Sequence, residues 1–173
     1  MTRLLTLAIA LLWPSGAIAG GEVTVAPLTL LEDGEVAGCG LTSSLRFPET
    51  LAVGEVFAFR EGDATAFAVR ARTVPVSAEI TGVRLITATH DTAADFPKVR
   101  TIAGGMIETR SVLEGFAGSS FAQSLMVTGG RFELTLSGGQ TVAYELPRPM
   151  PHAVRQAYLN CAGDLFRPET EGQ

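Results

Sequence analysis

Residues 131–146 constrain the fold more than any other stretch. In Arg131–Leu136, the apolar Phe132, Leu134 and Leu136 alternate with Arg131, Glu133 and Thr135; in 141–146, Val142, Tyr144 and Leu146 alternate with Thr141, Ala143 and Glu145. A period of two places each set on one face of an extended strand, so each arm has an apolar side and a polar side. Ser137-Gly138-Gly139-Gln140 joins the arms, with two glycines where a tight hairpin turn needs them. A lone hairpin cannot bury its apolar face in water, so further strands must supply the cover.

Those strands are legible upstream, because 19 Gly and 9 Pro break the chain into short apolar stretches. Residues 22–31 and 36–47 flank a turn at Glu32-Asp33-Gly34-Glu35, and the spacing puts Cys39, Leu41, Ser43, Leu45 and Phe47 on one face. Residues 55–60 and 64–73 form a second hairpin around Glu61-Gly62-Asp63, with Phe57 and Phe59 on a shared face. Residues 76–80 and 83–89 read as strand pieces with a bulge or bend at Gly82. Residues 90–96 read as a polar loop, and Gly104-Gly105 splits 99–111 into two short strands or a flexible segment. Ser119 or Ser120 is placed as the cap of a short helix through 122–127, with Phe121, Leu125 and Met126 on its apolar side; a strand fits this short run nearly as well. After the 131–146 hairpin, Pro147, Pro149 and Pro151 end the sheet. A helix over 153–165 then sets Val154, Ala157, Tyr158, Cys161 and Leu165 on one face.

The expected fold is mainly β: an antiparallel β-sandwich or partly open barrel with one C-terminal α-helix packed on it. Its expected divisions are a signal peptide over 1–19, one β-rich domain over 20–166, and a polar tail over 167–173. The signal peptide is read from Arg3, the apolar run from Leu4 to Trp13, the break at Pro14-Ser15-Gly16, and Ala17-Ile18-Ala19 with small residues flanking Ile18 before the cut. The apolar run is ten residues long, against the ~20 a spanning helix needs. Cleavage after Ala19 is expected to leave a periplasmic or secreted product with no transmembrane segment. Removing 19 of the 173 residues leaves 154, a length that suits one domain. Arg3 departs with them, so 12 basic residues face 18 acidic ones, a net charge of −6. That balance, without any basic run, argues against nucleic acid and against anionic membrane surfaces as partners.

Cys39 and Cys161 are the only cysteines. In an exported chain two cysteines most simply form one disulfide; two free thiols are the alternative. Neither a Cys-X-X-Cys redox motif nor a zinc-ligand spacing is present, and no cofactor or metal is expected. His90, Asp91 and Asp95 form the one cluster with chemical potential, as a general base or a metal site, and an exposed loop is the plainer reading. His152 opens the last helix and reads as a solvated first-turn residue. Ser119-Ser120 lacks the Gly-X-Ser-X-Gly setting of a nucleophile, and Glu108, Glu114 and Glu133 show no pairing that suits glycoside hydrolysis. Phe57, Phe59, Phe67, Phe116, Phe121 and Phe132 read as core. With 46% hydrophobic residues the chain has enough apolar material for a core; if a surplus is exposed, residues 115–124, where small residues flank Phe116 and Phe121, are the place for it, and core packing is the plainer use.

Over residues 125–165 the order of features is an apolar segment, Gly129-Gly130, a strand with Phe132 and Leu134, the Gly138-Gly139 turn, a strand ending at Leu146, and a helix with Ala153, Ala157 and Cys161. This ending resembles exported bacterial domains of the invasion-associated locus B type. The resemblance implies a β-sandwich with a docked C-terminal helix and carries over no functional residue; a Pro-rich linker stands here where that family has its Gly-Phe or Gly-Ser step. With no convergent polar constellation, the chain reads as an exported, non-catalytic protein that binds another protein or an envelope component. A small-ligand-binding β-domain with a pocket inside the sheets is the alternative, and a hydrolase or metal site at His90, Asp91 and Asp95 a further one.

Overall fold

A computed structural model of the chain describes residues 21–46, 50–74, 79–96 and 98–166, together with the backbone of Ala17–Ile18. Most of the expected signal peptide, Phe47, residues 76–78 and the polar tail lie outside the described residues. The elements in chain order are β1 (Ala17–Ile18), β2 (Val23–Glu32), β3 (Glu35–Arg46), β4 (Leu51–Glu61), β5 (Ala64–Val74), β6 (Ile80–Ile86), α1 (Thr92–Asp95), β7 (Val99–Ile102), β8 (Met106–Val112), α2 (Phe116–Thr128), β9 (Arg131–Leu136), β10 (Thr141–Glu145) and α3 (His152–Leu165).

Two sheets result. The larger is antiparallel throughout, in the order β2-β3-β4-β5-β8-β7; the smaller runs β1-β10-β9-β6. The sheets do not close into a barrel. Residues β1 contributes lie within the expected signal peptide; they pair in parallel with Val142 and Ala143 of β10. The 131–146 hairpin forms as the alternation dictates, with Phe132 opposite Tyr144 and Leu134 opposite Val142. The bulge read at Gly82 appears as a register shift between Ile80 and Gly82 against β9, and the strand ends at Ile86, short of Thr87 and Thr89. Gly104-Gly105 separates β7 from β8 as two short strands.

The sheets meet face to face. Ala52, Val56, Phe67, Val69 and Ile107 of the larger sheet and Leu85, Phe132, Leu134 and Tyr144 of the smaller belong to one continuous core of buried side chains. Gly54 sets their closest approach: a Cβ there would stand 2.5 Å from the Tyr144 hydroxyl and 2.9 Å from the Phe132 ring. The Tyr144 and Ser43 hydroxyls share a hydrogen bond of 3.0 Å, and Ser43 lies 3.2 Å from the Gly54 carbonyl, to which it donates. Burial, only partly offset by that bond, pushes the Tyr144 phenol up to about 12.

Beyond the smaller sheet, α2 and α3 complete the cover of the larger one. Phe121 of α2 meets Phe67 of β5 edge to face at 5.0 Å. Cys161 of α3 is bonded to Cys39 of β3 across 122 positions of sequence. The inward stripe of α3 is the expected one, with Val154, Cys161 and Leu165 buried, and the helix continues through Gly163. Helix α2 corrects the expected boundaries. It begins at Phe116, its N-cap is Gly115 rather than Ser119 or Ser120, and no side chain caps it. Gly115 has φ 51° and ψ −121°, a conformation that demands glycine, so backbone geometry rather than a hydroxyl starts the helix.

The outward face of the larger sheet also holds buried groups. Cross-strand register aligns Glu55, Arg70, Glu108 and Arg100 in one row. Glu108 is 1% exposed and accepts hydrogen bonds from Arg70 Nε at 2.6 Å and Arg100 Nε at 2.7 Å. Burial alone would raise its carboxyl, but the bonds and charges of the two arginines together outweigh that and hold it below its ordinary range. Arg70 is thus a partner of Glu108 and also covers the Phe57 ring at 4.4 Å.

Candidate functional site

The His90, Asp91 and Asp95 cluster is brought together, in a structural arrangement. Asp91 caps α1 by accepting from Ala93 N at 3.0 Å, and Asp95 accepts from Asp91 N at 3.2 Å. Arg84 of β6 donates Nε to Asp91 Oδ1 at 2.8 Å and Nη2 to Oδ2. The Arg84 hydrogen bonds, which exceed the opposing effect of burial, hold the Asp91 carboxyl below its ordinary range. Arg84 Nη1 also reaches Glu133 at 3.1 Å, and Glu133 accepts from Arg131 Nε at 3.0 Å. The His90 ring stands edge-on to Phe121 at 5.4 Å, and its Nδ1 lies 2.7 Å from the Thr89 hydroxyl. Both carboxylate oxygens of Asp91 are engaged by Arg84, which fixes the cap of α1 to β6. The 90–96 segment is accordingly no simple polar loop, because Thr92 and Phe96 are buried within it. Among the described residues no group of three or more His, Cys, Asp and Glu side chains is placed to hold a metal ion. His152 is exposed in the first turn of α3.

An open groove of about 930 Å³ lies elsewhere, between α2 and α3. One wall is a stripe of small and flexible residues on α2: Gly118, Ser119, Ala122, Met126 and Val127. The facing wall is a second stripe of α3, made of Arg155, Leu159, Ala162 and the following Phe166, at spacings of four, three and four. Asp63, Thr65 and Glu114 close the end where Phe166 lies, and Phe166 with Asp63 and Thr65 also borders an adjoining hollow of about 290 Å³.

Close packing beneath α2 holds the groove in shape. A Cβ on Gly118 would stand 2.8 Å from the Leu113 carbonyl and 3.2 Å from the Phe67 ring, so glycine lets the helix sit directly on β5. Leu159, which lines the groove, is 68% exposed, and Phe116, at the start of α2, is 85% exposed. Phe116 therefore departs from the expectation that it is core, while Phe121 on the opposite side of the same helix is fully buried. Ser119 donates to the Phe116 carbonyl at 3.0 Å and is not a nucleophile in waiting. Glu108, Glu114 and Glu133 lie in three separate settings, two of them arginine-paired and the third on the groove, so no carboxylate pair forms.

Two polar side chains of α3 stand together in the groove. Arg155 Nε is buried with no hydrogen-bond partner among the described residues. Tyr158, three positions on and thus adjacent on the helix surface, also lines the groove, and burial raises its phenol so that it remains a donor at neutral pH. Small residues around Phe116 and Phe121 point to the α2 side of this groove, residues 115–124, but not to Arg155, Leu159 and Phe166. Their signal was present: they share one helical stripe with Ala162, rotated from the Val154, Cys161, Leu165 stripe. No family model, no curated protein and no solved structure matches the chain.

Proposed function

We propose that the chain is an exported, non-catalytic binding protein of the periplasm or cell exterior, and that it takes a protein or envelope component into the α2–α3 groove. The carrying observation is the groove itself: about 930 Å³ of space lined by apolar side chains and rimmed by exposed Leu159. Clefts of this size and lining suit ligands with apolar bodies, and exposed apolar side chains gathered at one place suit contact. The Cys39–Cys161 disulfide supports an oxidising compartment, as do the signal-like residues 1–19. No described helix is long and apolar enough to cross a membrane.

The alternative is a small-ligand-binding β-domain, and the described hollow between the larger sheet and the two helices has little room for a ligand. The space over Cys39, Val56, Phe121 and Tyr158 at the core amounts to about 10 Å³, no more than about one water. A small ligand would thus share the groove. The test is titration with the neutral fluorescent probe N-phenyl-1-naphthylamine. Saturable binding to the wild type is expected, with loss in Ala162→Trp, which fills the groove, and in Leu159→Glu, which charges its rim. Circular dichroism and melting temperature establish that each variant is folded. Absence of probe binding, or equal binding by both folded variants, would sink the reading.

A further inference from the structure

The groove has a polarity that specifies its occupant. We infer that it holds a single-chain anionic amphiphile, with the apolar chain between α2 and α3 and the carboxylate or phosphate head at Arg155 and Tyr158. This rests on the groove being the binding site.

Three observations carry the inference. The first is charge. The Arg155 guanidinium lines one end with its Nε buried and unpaired, whereas Asp63 and Glu114 stand at the end marked by Phe166. Phe166 is 11 residues beyond Arg155 along α3 and its cap, roughly 16 Å at the helical rise. An anionic head is attracted to the first end and repelled from the second, so one charged head and one orientation are favoured. The second is the scarcity of backbone partners. The two long walls of the groove are helices, whose central N–H and C=O groups are bonded within the helix, and the Ser119 hydroxyl already serves the Phe116 carbonyl; strand and loop residues 63–65 and 113–115 line only the end near Phe166. An extended peptide over that length would bring about five residues of backbone polar groups, left largely unmatched. An alkyl chain brings none. The third is the pairing of donors: Arg155 supplies N–H groups in a planar fork suited to carboxylate or phosphate, and Tyr158 adds a hydroxyl from the adjacent turn.

The test uses the full mature chain, stripped of bound lipid under native conditions, with N-phenyl-1-naphthylamine as the displaced probe. Competitors are laurate, lauroyl-lysophosphatidylglycerol, 1-dodecanol and an uncharged apolar pentapeptide. Displacement by laurate, by the lysolipid or by both, about tenfold or more tighter than by dodecanol, is expected. Laurate alone would identify a free fatty acid, the lysolipid alone a membrane lipid, and either supports the shared chemistry. Arg155→Gln should bring the anionic competitors to the dodecanol level without changing dodecanol itself, and Arg155→Lys should retain most of the preference. Unchanged dodecanol displacement keeps a folding defect from imitating the result. Equal displacement by anionic and neutral chains, indifference to Arg155→Gln, or displacement by the pentapeptide alone would overturn the inference while leaving the groove as a binding site. Failure of the probe to bind would instead overturn the site.

Discussion

Glu108→Gln tests the energetics of the outward sheet face. The substitution keeps the side-chain volume and removes the charge that Arg70 and Arg100 share. Wild-type Glu108 accepts from Arg70 Nε, Arg100 Nε and Arg100 Nη2. Hydrogen bonds to charged groups are each worth about 1.5–3 kcal/mol when made. The side chains of Arg70 and Arg100 are 24% and 50% exposed, so water recovers much of their loss. The amide oxygen of Gln also keeps one acceptor in place. The net cost at neutral pH is therefore about 2 kcal/mol, below the 3–5 kcal/mol of a fully buried broken pair. Because the carboxyl titrates lower in the folded chain than unfolded, its contribution is complete above the unfolded value of about 4.3 and disappears as pH falls through the folded one. Gln cannot titrate, so the gap between wild type and variant should close in acid. Urea unfolding at pH 7 should show a midpoint lowered by about 1 M, given slopes of about 1–3 kcal/mol per molar. The same measurement stepped toward pH 3 should show the two midpoints converging. Equal midpoints at pH 7, or a gap that does not change with pH, would refute the account of Glu108 as a buried, arginine-held carboxylate.

Reduction of Cys39–Cys161 should lower stability by roughly 5 kcal/mol at most, the loop-closure entropy of a bridge across 122 positions. For a domain of this length that is a fall of about 10–20 °C in melting temperature on adding dithiothreitol, and an unchanged midpoint would remove the bond from the account. Two glycine substitutions should move stability in opposite directions. Gly54→Ala drives a methyl into the Tyr144 hydroxyl and the Phe132 ring and should cost about 1–3 kcal/mol. Gly163→Ala, in α3 with nothing within 4 Å of the added Cβ, should gain about 0.5–1 kcal/mol; calorimetry of the pair with matching signs would contradict the packing described.

What was legible in the sequence was what a period of two or of 3.6 encodes locally. The 131–146 hairpin, the inward face of β3 carrying Cys39, Leu41 and Leu45, and the buried stripe of α3 all follow from alternation within one element. What escaped depends on partners distant in sequence. Arg70 reads as a solvated strand residue until register places Glu108 opposite it. His90, Asp91 and Asp95 read as an exposed loop, with a general base or metal site as the alternative, because the sequence does not show that Arg84 bonds Asp91 and that Phe121 meets the His90 ring. The start of α2 escaped for a different reason. Its N-cap makes no side-chain hydrogen bond, so no Ser or Thr marks it, while Ser119 and Ser120, which do resemble caps, fall inside the helix.

Helix α3 joins the architecture to the proposed site, and its two stripes explain how. Val154, Cys161 and Leu165 fix it to the larger sheet, covalently at Cys161. Arg155, Leu159 and Ala162, on the neighbouring stripe, form one wall of the groove. A helix anchored on one side by burial and a disulfide cannot roll without exposing that stripe, so the other wall is held at a set distance from α2. On the α2 side, Phe121 is buried and Gly118 allows direct contact with β5, while Ala122 and Met126 face the groove. Both walls are thus positioned by core residues one helical step from the lining. The hydrophobic surplus at Phe116 and Leu159 stays outside the core because the inward positions of both helices are already filled. A close-packed interior has no room for further large side chains, so Leu159 is left on the groove and Phe116 exposed at the first turn of α2.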